Sequence, residues 1–327
     1  MLNYRPKMFD EASKTHTSKK LFSILLSFIV VFGVIFILES IIPSIITTKP
    51  MLEEMRKQGY LDNTQNFTLK ESMKIATKVS SIPKVMIPSL LSTIFGTLGA
   101  IFYCRCVEMR PVRSMGARKK GLIPNYLMGL LIGIAMMSAI TLLSIAFGAN
   151  SITLCSNVDY KLLALFLLGF IVQGMSEEFI FRGYLMNSIG GGGHHTAIAI
   201  GLSALAFSLA HAANPGFGAV PFVNLTLFGV FAAIYMILFD NIWGVCAIHS
   251  IWNFTQGNFY GISVSGTGDT ESVFRTAHIS DKAFLTGGDF GIEGSIFTTI
   301  VLAAGIAAAA FALSRKNNKT DTASAAE

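Results

Sequence analysis

Apolar segments long enough to cross a lipid bilayer are the feature of this sequence that most restricts its fold. The chain has 327 residues, of which 52% are hydrophobic and 13% charged, against about 25% charged in ordinary soluble domains. A helix needs about 20 apolar residues to cross the hydrocarbon core, where each backbone polar group must be hydrogen-bonded within the protein. The sequence therefore predicts an all-α, polytopic membrane protein of about eight transmembrane helices.

The predicted spans are apolar stretches separated by polar loops, prolines or glycines. They are residues 21–42, 85–103, 126–147, 162–189, 196–213, 222–239, 242–254 and 296–313. The fourth stretch is longer than one straight crossing requires. We expect the glycines at 190–193 to stop its helix, because consecutive glycines are entropically costly in helical form.

Lysine and arginine are more frequent in the loops that this arrangement places on the same side as the two termini, notably residues 1–20 and 105–120. Cytoplasmic loops carry such an excess, so we predict that both termini are cytoplasmic. The same loops account for the net charge of +6, and we expect no nucleic-acid partner. The predicted location is the plasma membrane of a bacterium, with the protein integral to it.

Two adjacent carboxylates and an arginine lie near the end of the fourth apolar stretch, at Glu177, Glu178 and Arg182. Each charge at the bilayer centre costs about 2.5–3.5 kcal/mol on insertion scales, so such residues usually face a protein interior or a water-filled cavity. Glu178 and Arg182 are four residues apart and share one helix face. Glu177 is rotated by about 100° from Glu178 and is predicted to stay free of that ion pair.

The later spans contain few polar residues that could meet this cluster. His211 ends the fifth span, and His249 and Asn253 share one face of the seventh. A buried carboxylate can act as a general base on water, and imidazole and amide groups can bind a metal, orient the water or stabilise an oxyanion. Because neither a GxSxG nor an HExxH motif is present, the set suits hydrolysis of an acyl bond without a serine nucleophile or a zincin site.

Two other classes of protein explain the same residues. A structural ion-pair network or an ion relay would use the charges of Glu177, Glu178 and Arg182 in an ion-coupled transporter. A non-catalytic membrane scaffold would use His211, His249 and Asn253 as interhelical hydrogen-bonding groups.

Three motifs in order resemble a known family. Glu177-Glu178-x-x-x-Arg182, Phe207-x-x-x-His211 and His249-x-x-x-Asn253 are similar to the CPBP intramembrane proteases, also called the Abi or type II CAAX prenyl endopeptidase-like family. The resemblance covers about residues 160–260. It implies an all-helical membrane fold whose active-site cavity opens towards the cytosol.

The resemblance also implies a role for each motif residue. Glu177 would activate water, with His211, His249 and Asn253 surrounding that water or an oxyanion. Glu178 and Arg182 would support the base, and we expect Phe207 to pack at the wall of the site. Zinc bound by Glu177, His211 and His249 is one option, and metal-free activation of water is the other.

On this basis we expect an intramembrane endopeptidase that cuts a peptide bond near the cytosolic face. Its expected partners are a peptide or protein substrate and the lipid bilayer. CAAX-type processing, maturation of bacteriocins or signalling peptides, and self-immunity all fit. The sequence does not distinguish among these substrates or indicate an oligomeric state.

These expectations divide the chain into five parts. They are a cytoplasmic N-terminal segment (1–20), transmembrane helices with an outer amphipathic segment (21–160), a catalytic transmembrane core (161–257), an outer loop (258–294), and a last transmembrane helix with a polar tail expected to be disordered (295–327).

Overall fold

The computed structural model describes residues 4–61 and 67–324, with side chains described up to residue 318. Helices make up most of this part, and the predicted all-α polytopic membrane architecture is confirmed. The helices are α1 (Lys7–Ala12), α2 (Leu21–Lys57), α3 (Leu69–Ser80), α4 (Pro83–Ser92), α5 (Ile94–Phe102), α6 (Leu122–Ala146), α7 (Tyr160–Glu178), α8 (Asn187–Gly191), α9 (Thr196–Ala210), α10 (Ala219–Phe239), α11 (Trp243–Phe254), α12 (Ala283–Thr286) and α13 (Ile296–Ser324). The strands are β1 (Asn150–Leu154) and β2 (Phe274–His278), and π-helical turns cover Tyr103–Val107, Phe179–Met186 and Thr255–Phe259.

Six helical segments in the described residues are long and apolar enough to cross a membrane. They are α2, α4 with α5, α6, α7 with α8, α10 and α13. The predicted fifth and seventh spans correspond to α9, with 15 residues, and α11, with 12. At about 1.5 Å per residue both are shorter than the roughly 30 Å hydrocarbon core, so the predicted number of eight is not confirmed.

The two ends of the chain lie at one face of the bundle, which we call the terminal face. The backbone N–H of Met8 donates to Asp240 Oδ1 at 3.1 Å, and Lys316 Nζ donates to the carbonyl of Leu238 at 2.6 Å. Both termini therefore meet the turn between α10 and α11. The other end of the bundle, which we call the opposite face, carries α3, the paired strands β1 and β2, and the loop from 255 to 294.

The first helix is longer than the predicted span. It continues through Pro43 and Pro50 for 37 residues, about 55 Å at 1.5 Å per residue, and so extends well beyond the hydrocarbon core. Residues 62–66 of the predicted outer segment lie outside the described part of the chain.

Helix α3 is the amphipathic helix expected in that segment. Its Ile75 and Val79 are buried in a small cluster that includes Met51 and Met55 of α2. The outer end of α2 therefore holds α3 in place.

The glycine run has a second role besides ending a helix. The fourth span continues through Phe179–Met186 into α8, which ends at Gly191 rather than before Gly190. A Cβ on Gly190 would collide with the ring of Phe9, and one on Gly191 would lie 2.7 Å from the carbonyl carbon and the Cβ of Ala12. These glycines let α1 pack directly on α8.

Two further expectations from the sequence differ from the structure. Residues 150–154 and 274–278 were expected to be loop, but they pair as antiparallel strands. Such pairing joins segments more than a hundred residues apart, which local sequence patterns do not reveal. The polar tail was expected to be disordered, yet α13 continues to Ser324; residues 325–327 lie outside the described part.

Helix α11 is held between α6 and α7 by close contacts at glycines. A Cβ on Gly174 of α7 would lie 2.6 Å from the backbone nitrogen of Ser250, and one on Gly133 of α6 would lie 2.8 Å from the carbonyl of Ile248. These contacts flank His249 on both sides. Because glycine has no side chain, α11 approaches both helices closely, and this close approach sets the position of His249 in the bundle.

We expect Gly174→Ala to destabilise the protein by about 1–3 kcal/mol, the usual cost of overpacking a core. The matched control is Gly201→Ala in α9, where a Cβ would meet nothing within 4 Å. It should be neutral or stabilising, because alanine is the better helix former by about 1 kcal/mol. Thermal unfolding of both variants in detergent measures the difference, and equal midpoints would contradict the packing argument.

Native cysteines allow the predicted orientation to be measured. Cys106 is exposed near the terminal face, and Cys155 is half-buried directly after β1 on the opposite face. If both termini are cytoplasmic, a membrane-impermeant maleimide added to sealed right-side-out vesicles should label Cys155 in a Cys106→Ser variant. The same reagent should fail to label Cys106 in a Cys155→Ser variant until the vesicles are opened; the reverse pattern would place the termini outside.

Candidate active site

A buried ion pair and a histidine meet where α7 passes into its π-helical continuation. Arg182 Nη1 donates to Glu178 Oε1 at 3.0 Å, and His249 Nδ1 lies 2.9 Å from the same oxygen. The side chains of Glu178 and Arg182 are fully buried, and that of His249 is 5% exposed. The wider π turn begins directly after Glu178, and such turns are frequent at functional sites.

Glu177 is separate from this ion pair and faces a cavity. Its Oε1 accepts a hydrogen bond from Gln173 Nε2, four residues earlier on α7. Its Oε2 lies 3.8 Å from His211 Nε2 and 3.7 Å from His249 Nε2, and has no hydrogen-bond partner among the described residues. These separations are too long for direct hydrogen bonds, and a polar contact of this length can be bridged by water. The Glu177 side chain lines the cavity and is 21% exposed, whereas Oε2 itself is buried between the two histidines.

The hydrogen bonds assign the proton positions of the two histidines. His211 Nδ1 lies 2.9 Å from the carbonyl oxygen of Phe207, which can only accept, so Nδ1 carries a hydrogen. His249 Nδ1 faces the Glu178 carboxylate in the same way. When neutral, both rings therefore direct an unprotonated Nε2 towards Glu177.

Asn253 is connected to the base through another residue. Its Nδ2 donates to Gln173 Oε1 at 2.8 Å, and the same Gln173 holds Glu177. Sequence reasoning did not single out Gln173. Its position four residues before Glu177, on the same helix face, was the available signal.

Phe207 packs beneath the charged groups, as expected for the wall of the site. The guanidinium of Arg182 lies 4.5 Å from the centre of its ring, within cation–π range. The imidazole rings of His211 and His249 lie 4.9 and 5.8 Å from the same ring. Phe207 therefore contacts residues from all three motifs.

The cavity beside Glu177 has a volume of about 160 Å³. It lies between Glu177 and the opposite face, since its lining includes the halves of α10 and α11 nearer that face and the loop after α11. Polar residues in its lining are Gln173, Glu177, His211, Asn214, Asn224, His249, Asn253, Ser265, Thr267, Glu293 and Thr298. The site is therefore bordered by polar residues from loops of the opposite face.

Residues of the predicted outer loop at 258–294 contribute to this cavity. Glu293 is buried and accepts hydrogen bonds from the backbone N–H of Ser265 at 2.8 Å and from its hydroxyl at 2.9 Å. Asn224 Nδ2 of α10 also donates to the carbonyl oxygen of Glu293 at 2.6 Å, which anchors the loop over the site. Such anchoring depends on tertiary contacts and has no signature in the loop sequence.

A further carboxylate from the first span lies close to the site. The Ser176 hydroxyl is 3.5 Å from Glu39 Oε1, and Gly96 of α5 leaves the space where these two groups meet. Glu39 is near enough to Glu177 for their charges to interact. Glu39 was not among the site residues expected from the sequence. An acidic residue in the first apolar stretch nevertheless indicates a functional site as much as one in a later stretch does.

The three predicted zinc ligands lie together beside the cavity, and binding of zinc by them stays a prediction. Within residues 4–61 and 67–324, no group of three or more His, Cys, Asp or Glu side chains is placed to hold a metal ion. Glu177, His211 and His249 converge at the separations given above. The hydrogen bonds at Nδ1 leave Nε2 of each ring facing Glu177, as in histidines that bind a metal through one nitrogen and donate from the other.

Comparison with known proteins identifies the segment that carries these residues. Residues 159–255 match the family described as type II CAAX prenyl endopeptidase Rce1-like. This segment is similar to CAAX-type proteases. The resemblance to the CPBP family is thereby confirmed, and the matched CAAX protease segment includes every motif residue from Glu177 to Asn253. Curated proteins and solved structures give no match.

The structure makes two expectations from the sequence incompatible. The charge pattern predicts cytoplasmic termini, and the resemblance implies that the CAAX protease site opens towards the cytosol. The cavity extends from Glu177 towards the opposite face, away from the termini. Only one of the two can therefore hold, and cysteine labelling from the two sides decides which.

We expect Arg182→Met to lower the free energy of unfolding by about 3–5 kcal/mol, because it leaves Glu178 as a buried carboxylate without its cation. Adding Glu178→Gln should recover part of the loss, since the double variant buries no unpaired charge. Detergent unfolding of the single and double variants measures this recovery. A double variant no more stable than Arg182→Met would show that the ion pair is not the source of the loss.

Proposed function

We propose that the protein is an intramembrane endopeptidase in which Glu177 activates water for attack on a peptide bond. Membership of the CAAX-type protease family supports the reaction class. The observation that supports the mechanism is the convergence of Glu177 Oε2 with His211 Nε2 and His249 Nε2 beside the cavity.

In the proposed reaction, Glu177 removes a proton from water as the water oxygen bonds to the scissile carbonyl carbon. The hydrogen bond from Gln173 fixes one carboxylate oxygen and leaves Oε2 to accept the proton. When the carbon–nitrogen bond breaks, Glu177 returns this proton to the leaving amine, so the carboxylate is regenerated. General-base assistance of this kind contributes about 10²–10⁴-fold to a rate.

The remaining motif residues are proposed to stabilise the oxyanion and to hold the base. The Asn253 amide has two N–H donors, of which one is bound to Gln173, so the other is free to bind an oxyanion. His211 and His249 orient water through Nε2 when neutral and donate to the oxyanion when protonated. Glu178 and Arg182 act through His249, by fixing the orientation of its ring.

We propose a metal-independent route, because Glu177 and the polar atoms around it suffice to activate water. Were zinc bound, Glu177, His211 and His249 would hold it and it would lower the pKa of a bound water. Elemental analysis of the purified wild-type protein and of a His211→Ala variant tests this. Stoichiometric zinc that is lost in the variant would contradict the metal-independent route.

The substrate is proposed to be a peptide or the end of a membrane-associated protein, cut on the side of the membrane that the opposite face contacts. If the termini are cytoplasmic, cleavage occurs at the outer surface. If labelling places the termini outside, cleavage occurs at the cytosolic face, as in the expectation drawn from the family.

Comparative peptidomics of cells that produce the wild-type protein or Glu177→Gln tests the base and identifies the substrate together. We expect cleavage to fall by at least about 10²-fold, the lower end for general-base catalysis, with accumulation of an uncut precursor. Glu53→Gln is the matched control, since Glu53 is an exposed carboxylate at the outer end of α2.

Equal peptidomes at equal protein levels would contradict the proposal and favour a scaffold. A variant that loses ion or solute flux in reconstituted vesicles, while the wild-type protein cleaves no peptide, would favour a transporter.

A further inference from the structure

A second and larger space lies on the opposite face, between α3 and the loop after α11. We call it the α3 groove, and its volume is about 1080 Å³. Ligand pockets usually measure about 300–1,000 Å³, so the groove has room for several residues of an extended chain. The residues used below line its two walls: Lys70, Lys74, Thr77 and Lys78 on α3, and Asp269 and Asp289 on the loop.

The α3 groove adjoins the cavity beside Glu177. Ser265 and Thr267 line the cavity, whereas Ser263, Gly266 and Gly268 of the same short segment line the groove. The cavity and the groove also adjoin at the turn after α9, where Asn214 lines the cavity and the next residue, Pro215, lines the groove. The groove therefore lies beside the cavity, on the face from which a peptide would reach Glu177.

The α3 wall of the groove is fixed to the rest of the protein. Ile75 and Val79 pack against α2, and Lys78 Nζ forms an ion pair with Glu54 Oε1 at 2.6 Å. On the other side, a Cβ on Gly268 would lie 3.3 Å from side-chain atoms of Thr77 and Ser81. The helix therefore touches the segment that separates the groove from the cavity.

Two lysines on this wall carry charges that the structure does not neutralise. Lys70 and Lys74 are exposed and lie one helical turn apart. Neither forms an ion pair within the described part of the chain, whereas Lys78 on the same stripe is paired. The loop wall carries Asp269 and Asp289, so the cationic side of the groove is specifically the α3 side.

We propose that the α3 groove binds the water-exposed segment of the peptide substrate in extended form, with acidic side chains facing Lys70 and Lys74. The proposal rests on the proposed function and specifies its substrate: a peptide with acidic residues in the segment that lies outside the cavity. Positive charge on one wall and negative charge on the other also fixes the orientation of the peptide, since complementary charges set register more than affinity.

Binding to the inactive Glu177→Gln protein tests the groove without requiring cleavage. The protein is placed in nanodiscs of phosphatidylcholine, which has no net charge, and fluorescence anisotropy measures two labelled peptides of equal length. One carries several glutamates, and the other has glutamine at the same positions. We expect tighter binding of the glutamate peptide and a loss of this preference at high salt, because exposed ion pairs are screened.

The Lys70→Glu/Lys74→Glu double variant should weaken binding of the glutamate peptide about tenfold and leave the glutamine peptide nearly unchanged. Lys57→Glu is the matched control, because Lys57 is exposed on the same face but does not line the groove. It should change neither affinity.

Three results would overturn the proposal. The first is equal binding of the two peptides, and the second is an equal loss of affinity for the glutamate peptide with Lys57→Glu. The third is normal peptide binding by the double variant, with a loss only of its affinity for phosphatidylglycerol vesicles. The last result would assign Lys70 and Lys74 to lipid headgroups. Failure of the proposed function is distinct, because it would appear as cleavage that survives Glu177→Gln while peptide binding is retained.

Discussion

The shared oxygen of Glu178 is the interaction on which the arrangement of the site depends. Arg182 and His249 both bind Glu178 Oε1, in surroundings where neither member of the ion pair reaches solvent. A buried carboxylate without these partners would be strongly destabilising. The contact joins α7 and its π turn to α11, and Phe207 adds α9 by packing against Arg182 and both histidines. Glu177 is thereby placed next to two imidazoles while its own Oε2 remains unbonded within the described chain.

Small residues make this geometry possible. Gly174 and Gly133 let α11 approach α7 and α6 closely enough for His249 to reach Glu178, and Gly96 does the same where α5 passes Glu39 and Ser176. Small residues allow such approach between membrane helices, where lipid provides no hydrophobic driving force for association. The polar centre and the glycine contacts therefore support each other, since the ion pair needs burial and burial needs close helices.

The location of the cavity links catalysis to membrane topology. Loop residues anchored by Glu293 cover the cavity on the opposite face, and α3 extends that face with a cationic wall. The N-terminal helix α1 closes the terminal face by packing on Gly190 and Gly191. The two faces consequently differ in chemistry: one is closed by packed helices, and the other presents polar loops and a groove beside the site.

The sequence by itself determined the membrane class, most of the helices and the residues that meet at the site. Apolar length predicts spanning helices because the bilayer core offers no hydrogen bonds to an unpaired backbone. The spacing of Glu178 and Arg182 predicts their contact because residues four apart share a helix face.

Only the tertiary structure decided which groups hold Glu177 and which face the cavity approaches. Gln173 links Glu177 to Asn253 across two helices, Glu39 comes from a span more than a hundred residues away, and β1 pairs with a strand far along the chain. These contacts join distant segments and depend on how the helices pack. Helical periodicity reports the face of a single helix, and it carries no information about which other helix that face will meet.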